Sequence, residues 1–290
     1  MAGYLEWNEA LCDWFFTADL AGQPAYLCCD TSVPAAVARA RRWSLNDPLV
    51  DLLSAVRARV GVPEPLDPWV REAIRWRSAG SVGTPPWVAV LAVTVLAASG
   101  GAQSDGGLTV QDRAYYRPLR QLLGLPPGAR PPAFDNDVCM LWRFLREWLD
   151  ETLDGSRGRC TASASKHLPN VGWALSQTLL GAAERARLPE FFRAIDAQPA
   201  EDVAPGVLLA CYLQWAARAA GQAARLAGSD RHSPAASLLG AVLHQSLLTW
   251  DGRFRDEQGR TPCRCCWRTT AAAGFCGWRP GRPRGWSTGR

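Results

Sequence analysis

The residues best equipped for chemistry lie in Ala162-Ser-Ala-Ser-Lys-His167, where Ser163, Ser165, Lys166 and His167 follow one another closely. Hydroxyls beside an ammonium and an imidazole can hold an anion, or the imidazole can act as a base when a second group orients it. Without a positioned partner, the same residues read as a polar loop whose side chains hydrogen-bond their own backbone. His232 and His244 lie far from His167 in the chain, the first in a turn before a helix and the second on a helix face. Asp135 and Asp137 flank Asn136 in the manner of a cation loop, but no following Gly and distal Glu complete a calcium pattern, so Asp137 reads as a helix N-cap. Asp150, Glu151 and Asp154 gather near the end of that helix, where the dipole disfavours acids, so a neighbouring Arg157, Arg159 or a partner would relieve them.

Other chemistries are weaker. Cys263, Cys265, Cys266 and Cys276 lack the paired C-x2-C spacing of a zinc site, and no metal or cofactor is expected. The vicinal Cys28-Cys29 could bridge only with strain, and Cys12, Cys28, Cys29, Cys139, Cys160 and Cys211 mostly read as buried thiols of a reducing, cytoplasmic compartment. Lys166 is the sole lysine, so no P-loop can exist, and no H-E-x-x-H, G-x-S-x-G or G-x-G-x-x-G occurs. Three basic stretches remain: Arg39, Arg41 and Arg42; Arg57 and Arg59; Arg71, Arg75 and Arg77. With Trp43, Trp69 and Trp76 interleaved, they could follow phosphates and stack on bases.

Composition argues against taking those arginines at face value. The chain has 290 residues, 48% hydrophobic and 20% charged, enough to bury a sizeable core. Of 32 basic residues all but Lys166 are arginine, which with the abundant Ala, Gly and Pro points to a GC-rich gene. The net charge of +5 also belongs to one end. Residues 263–290 carry six arginines, no acid, and no Leu, Ile, Val or Met; without them the body stands at −1. Reading the codons of 262–268 one base earlier turns Cys and Trp into Leu or Val and Arg into Pro or Ala. The expectation is therefore a reading frame lost near Pro262, with 259–290 a disordered tail and the true protein continuing beyond.

Helical periodicity dominates the rest. Tyr4–Phe16 places Leu5, Asn8, Leu11, Cys12, Phe15 and Phe16 on one face, and Ala25–Cys29 reads as one short buried strand. Asp47-Pro48 and Asp67-Pro68 each start a helix, and Pro85-Pro86 opens the most apolar one, too short to span a bilayer. The clearest amphipathic helix is 137–153, with Val138, Leu141, Trp142, Leu145, Trp148 and Leu149 inward and Arg143, Arg146 and Glu147 toward solvent. Residues 154–165 read as a polar loop, further helices cover 170–180, 182–197, 203–227 and 233–250, and 250–259 as the start of a hairpin. The fold class is mainly α, as a helical subdomain at 1–99 and a second at 112–258, joined through the Gly-rich 100–107. The start has neither a basic region nor an apolar core of a secretory signal, so no membrane partner is expected.

The opening Trp7-Asn8-Glu9-Ala10-Leu11, with Phe15-Phe16 and Ala21-Gly-Gln-Pro-Ala-Tyr-Leu27, resembles the start of an uncharacterised family of larger bacterial proteins from multigene loci, including antiphage-defence loci. The resemblance carries no catalytic signature; it implies a partnership with other proteins of such a system. The leading expectation is a cytoplasmic helical interaction module, more a scaffold than an enzyme, with Arg71, Arg75, Trp76, Asp135, Asp137, Asp154 and His167 as interaction residues. One alternative is a nucleic-acid-binding protein using its Arg and Trp faces. Another is an enzyme whose active site lies beyond Pro262 or is assembled from Asp135, Asp137, Asp154 and His167.

Overall fold

Asp47 shows how this sequence starts its helices. Its Oδ1 accepts the backbone N–H groups of Leu49 and Val50, each at 3.0 Å, while Pro48 fills the first helical position where no N–H is needed. The computed structural model describes residues 1–60, 67–80, 83–102, 112–124, 134–164, 170–180, 182–195, 203–216 and 234–249. In chain order these form α1 (Tyr4–Phe15), β1 (Pro24–Ala25), α2 (Val33–Ala40), α3 (Pro48–Val60), α4 (Asp67–Ser78), α5 (Val88–Ala102), α6 (Asp112–Leu123) and α7 (Phe134–Glu147). After them come β2 (Arg159–Cys160), α8 (Gly172–Ser176), α9 (Ala182–Ala186), α10 (Leu188–Ala194), α11 (Pro205–Ala216) and α12 (Pro234–Thr249). The molecule is mainly helical, and the only sheet among the described residues is the two-stranded parallel pair β1–β2.

The apolar helix α5 is the centre. Every residue from Trp87 to Ala98 is buried, and α1, α3, α6, α7 and α8 pack around it. A helix apolar on all sides can only be stable when surrounded in this way, each buried Leu or Val being worth roughly 2 kcal/mol. No helix among the described residues is long and apolar enough to cross a membrane. The start of α5 is gripped by α1: Tyr4 OH donates to Pro86 O at 2.7 Å, Asn8 Nδ2 donates to Pro85 O at 2.7 Å, and Asn8 Oδ1 accepts the N–H of Ala89 at 3.0 Å. Trp7, fully buried, donates its indole N–H to Asp51 Oδ2 at 2.9 Å and meets Trp43 edge-on. Leu5, expected to face inward, instead points to solvent and Trp7 takes the core position. The indole, larger and tied to Asp51, sets the rotation of α1.

Helix α7 buries all six residues of its expected stripe. It does not run on as an α-helix to 153. Trp148–Thr152 form a π-helical turn, closed by Leu153 N–H to Trp148 O at 2.9 Å and Gly155 N–H to Leu149 O at 2.8 Å. The wider turn brings Asp150 to β2, where its Oδ1 accepts the N–H of Cys160 at 2.9 Å. Asp154, Gly155 and Gly158 then take positive φ angles, and the chain reverses into β2. Arg159 N–H donates to Gln23 O at 2.8 Å, and Thr161 Oγ1 donates to Ala25 O at 2.7 Å.

Several expectations therefore need correction. Residues 161–163, read as part of a polar loop, are buried: they follow directly on β2, with Thr161 Oγ1 bonded to Ala25 O and Ser163 N–H to Ser176 Oγ. Arg146 and Glu147 are half-buried, since β2 and α4 cover that side of α7. The strand expected at Ala25–Cys29 regularises only over Pro24–Ala25. Pro118 sits inside α6, which begins at Asp112, at the loss of one backbone bond. Residues 103–111 and 125–133, the hairpin at 250–259 and the tail 259–290 lie outside the described residues.

Candidate functional site

The buried polar groups of this apolar molecule concentrate where β2 runs between the end of α7 and α8. Thr161, Ser163, Ser176 and Gln177 are all buried. The peptide between Ala162 and Ser163 is held from both sides. Arg146 Nη2 donates to Ala162 O, and Ser163 N–H donates to Ser176 Oγ at 3.1 Å. Ser176 Oγ in turn donates to Trp173 O at 2.7 Å and accepts from Gln177 Nε2 at 3.0 Å. Gln177 Oε1 takes the N–H of Leu27 at 2.9 Å, so the end of α8 also fixes the chain just after β1. The Arg146 guanidinium lies over the Trp173 ring at 5.2 Å. Two atoms of this corner have neither partner nor water access: Arg146 Nε and Ser163 Oγ.

Electrostatics here follow from burial. Burial pushes the Cys160 thiol up to about 11, although the neighbouring Arg146 charge opposes the shift. Burial likewise raises the Asp150 carboxyl above its ordinary range, against the Cys160 N–H and the Arg146 and Arg159 charges. An acid whose pKa is higher in the folded state favours folding below the ordinary carboxylate range and loses that contribution as pH rises through it. Asp150→Asn keeps an acceptor for Cys160 and removes the buried charge. Its expected result is a higher urea midpoint at neutral pH and an unchanged one in acid; a lower neutral midpoint would show that the carboxylate charge is needed.

The residues singled out in the sequence do not all meet here. Arg71, Arg75 and Trp76 lie on α4: Arg75 Nε donates to Arg71 O at 3.4 Å, and Trp76 packs edge-on against Trp87 with ring centroids 5.3 Å apart. Trp76 is thus partly core rather than an open stacking face. Asp154 occupies the turn before β2 with its side chain 97% exposed, 3.9 Å from Arg159. Asp135 and Asp137 fall in the first turn of α7, and their side chains, like all of His167 and His232, lie outside the described residues. His244, read as a satisfied helix-face histidine, is half-buried on α12 with Nε2 buried and unpartnered. Cys12, Cys29, Cys139 and Cys160 are buried free thiols, while Cys28 is half-buried and receives Arg185 Nη2 at 2.6 Å.

The sequence reading missed Arg146, Trp173, Ser176 and Gln177. Periodicity alone assigns Arg146 to solvent. Its only advance signal was position: it sits one turn before Asp150 on the helix face that carries Leu149. Trp173 and Gln177 gave no signal, because their partners at Arg146 and Leu27 are distant in sequence. Among the described residues no three His, Cys, Asp or Glu side chains stand close enough to hold a metal ion. No protein family, curated protein or solved structure matches this chain.

Proposed function

We propose that the chain is a non-enzymatic helical interaction module that docks other proteins of a bacterial multigene assembly. One contrast carries the reading. Around α1 to α4, arginines are engaged within the fold while large apolar side chains stand in solvent. Asp13 pairs with both Arg41, at 2.6 Å, and Arg157, at 3.2 Å. Arg57 caps the carbonyls of Leu122 and Gln121 at 2.7 and 3.0 Å, Arg59 pairs with Glu72 at 2.5 Å, and Arg77 pairs with Glu147 at 3.0 Å. Leu5, Trp14, Val50 and Ile74, on α1, α3 and α4, are 66%, 43%, 56% and 44% exposed. Guanidinium groups already bound to carboxylates and carbonyls are poor phosphate hooks, whereas exposed apolar side chains favour protein contact.

The test co-expresses the full chain with the products of its neighbouring genes and measures complex formation by light scattering. Leu5→Asp and Ile74→Asp are expected to weaken a complex by about tenfold or more, as loss of a buried apolar anchor does. A labelled DNA duplex and an RNA strand are titrated in parallel at low and physiological salt. Tight binding that falls steeply with salt would overturn the proposal in favour of a nucleic-acid-binding protein.

A further inference from the structure

We infer that the surface where the end of α1 meets the end of α2 and the turn before β2 receives an acidic peptide segment of a partner protein. The inference rests on the reading of the chain as a docking module and adds the chemistry of what docks. Asp13 of α1 stands between two arginines from distant parts of the chain. Its Oδ2 accepts from Arg41 Nη2 at 2.6 Å, and its Oδ1 accepts from Arg157 Nη1 at 3.2 Å. Neither guanidinium has another hydrogen-bond or ion-pair partner among the described residues. Their side chains remain 37% and 42% exposed. A guanidinium carries five N–H donors, and one carboxylate neutralises only one of two positive charges. The pair is thus left with donors and charge to spare on a surface open to solvent. Glu9, one turn back on α1, pairs with neither among the described residues, and Asp154 lies 3.9 Å from Arg159.

The fold holds both arginines in place. The end of α2 is closed by Arg41 N–H to Val37 O and Trp43 N–H to Ala38 O, each at 2.9 Å, and Trp43 packs edge-on against Trp7. Arg157 sits in a turn pinned by Gly155 N–H to Leu149 O at 2.8 Å and by Gly22 N–H to Gly155 O at 3.0 Å. Groups fixed in this way lose less freedom when a partner arrives. Beside them stand Trp14, 43% exposed and next in the chain to Asp13, and Arg42, exposed and without an ion pair among the described residues. Tryptophan and arginine are the side chains most enriched where protein partners bind. Arg57, Arg59 and Arg77 differ, since each is matched by its own acceptors, so the excess of donors is local to this surface. Asp13 also interrupts it. The result is a fork for one or two carboxylates, which arginine takes in planar geometry, and no unbroken track for a phosphate backbone.

The experiment titrates the full chain into a fluorescein-labelled peptide of glutamate with interspersed leucine and follows its anisotropy. The same peptide with glutamine in place of glutamate runs beside it. The glutamate peptide is expected to bind saturably, to lose affinity as salt rises, and to exceed the glutamine peptide by about tenfold or more. Arg41→Gln combined with Arg157→Gln removes both charges without reversing them and is expected to weaken binding about tenfold. Trp14→Ala is expected to weaken it severalfold. Arg143→Gln, at an exposed arginine of α7 outside this surface, and Leu5→Asp are expected to leave it unchanged. Should the double variant unfold, Arg157→Gln alone decides, with an expected loss of about threefold. Equal binding of the two peptides, or of wild type and the charge-removed variant, overturns the surface. So does an RNA strand that outcompetes the glutamate peptide, which assigns the arginines to nucleic acid. Assembly with the neighbouring gene products but no peptide binding overturns this inference and leaves the docking reading standing.

Discussion

Gly158→Ala is expected to cost about 3–5 kcal/mol of stability, the largest effect of an added methyl at any described glycine. Two penalties combine. Gly158 has φ +98°, a backbone conformation that residues with a Cβ adopt only under strain. A Cβ there would stand 2.6 Å from the Cβ of Ala25 and 3.1 Å from that of Leu20, neither of which is the end of a flexible side chain. The added methyl would have to push β1 and β2 apart, and with them the Gln23–Arg159 and Ala25–Thr161 bonds. Gly206→Ala is the control: nothing lies within 4 Å of its Cβ in the first turn of α11, and the change is expected to be neutral or stabilising by up to ~1 kcal/mol. Urea unfolding of both variants checks the pair; a Gly158→Ala loss no larger than ~1 kcal/mol would show that the strands separate freely.

Asn8→Asp changes one group and is expected to cost about 3–5 kcal/mol at neutral pH. Asn8 is buried and uses both ends of its amide, donating to Pro85 O and accepting from Ala89 N–H. A carboxylate would keep the second bond and place a negative oxygen against the Pro85 carbonyl. Protonation restores the donor, so the new acid's pKa is raised in the folded state. The loss is then fully present at neutral pH and shrinks as pH falls through the carboxylate range. Asn8→Ala removes both bonds and is expected to cost ~2–3 kcal/mol with no such pH dependence. Thermal melts of the two variants at neutral and mildly acidic pH separate them. If Asn8→Asp lost the same amount at both, the Pro85 carbonyl would not be its destabilising neighbour.

Asn8 also shows what sequence could and could not reveal. Its place on the buried face of α1 is visible from spacing, but its partners 77 and 81 residues away are not. The stripe Val138 to Leu149 was legible because the period of a helix is written in adjacent residues, and the structure buries all of it. Beyond the stripe the reading loses Arg146, because exposure on the remaining faces of α7 depends on whether β2 and α8 lie against them. The candidate site suffers in the same way. Ser163 stands out in sequence among its polar neighbours, yet Ser176, which bonds it, and Arg146, which bonds the adjoining Ala162 carbonyl, arrive through tertiary packing. β2 is hidden within a polar loop because a two-residue strand in a parallel pair leaves no alternation to detect. Leu5 illustrates the remaining failure: two apolar residues two positions apart cannot both face inward, and only the Asp51 bond decides for Trp7.

The β1–β2 joint also fixes an order of events during synthesis. Thr161 and its acceptor Ala25 are 136 residues apart, so the ribosome must work for on the order of ten seconds between making one strand and its partner. Throughout that interval Phe16 waits for Trp148, its edge-on neighbour at 6.1 Å. The nascent amino-terminal helix therefore presents bare aromatic surface to solvent until the second half emerges, a natural point for chaperones to hold the chain.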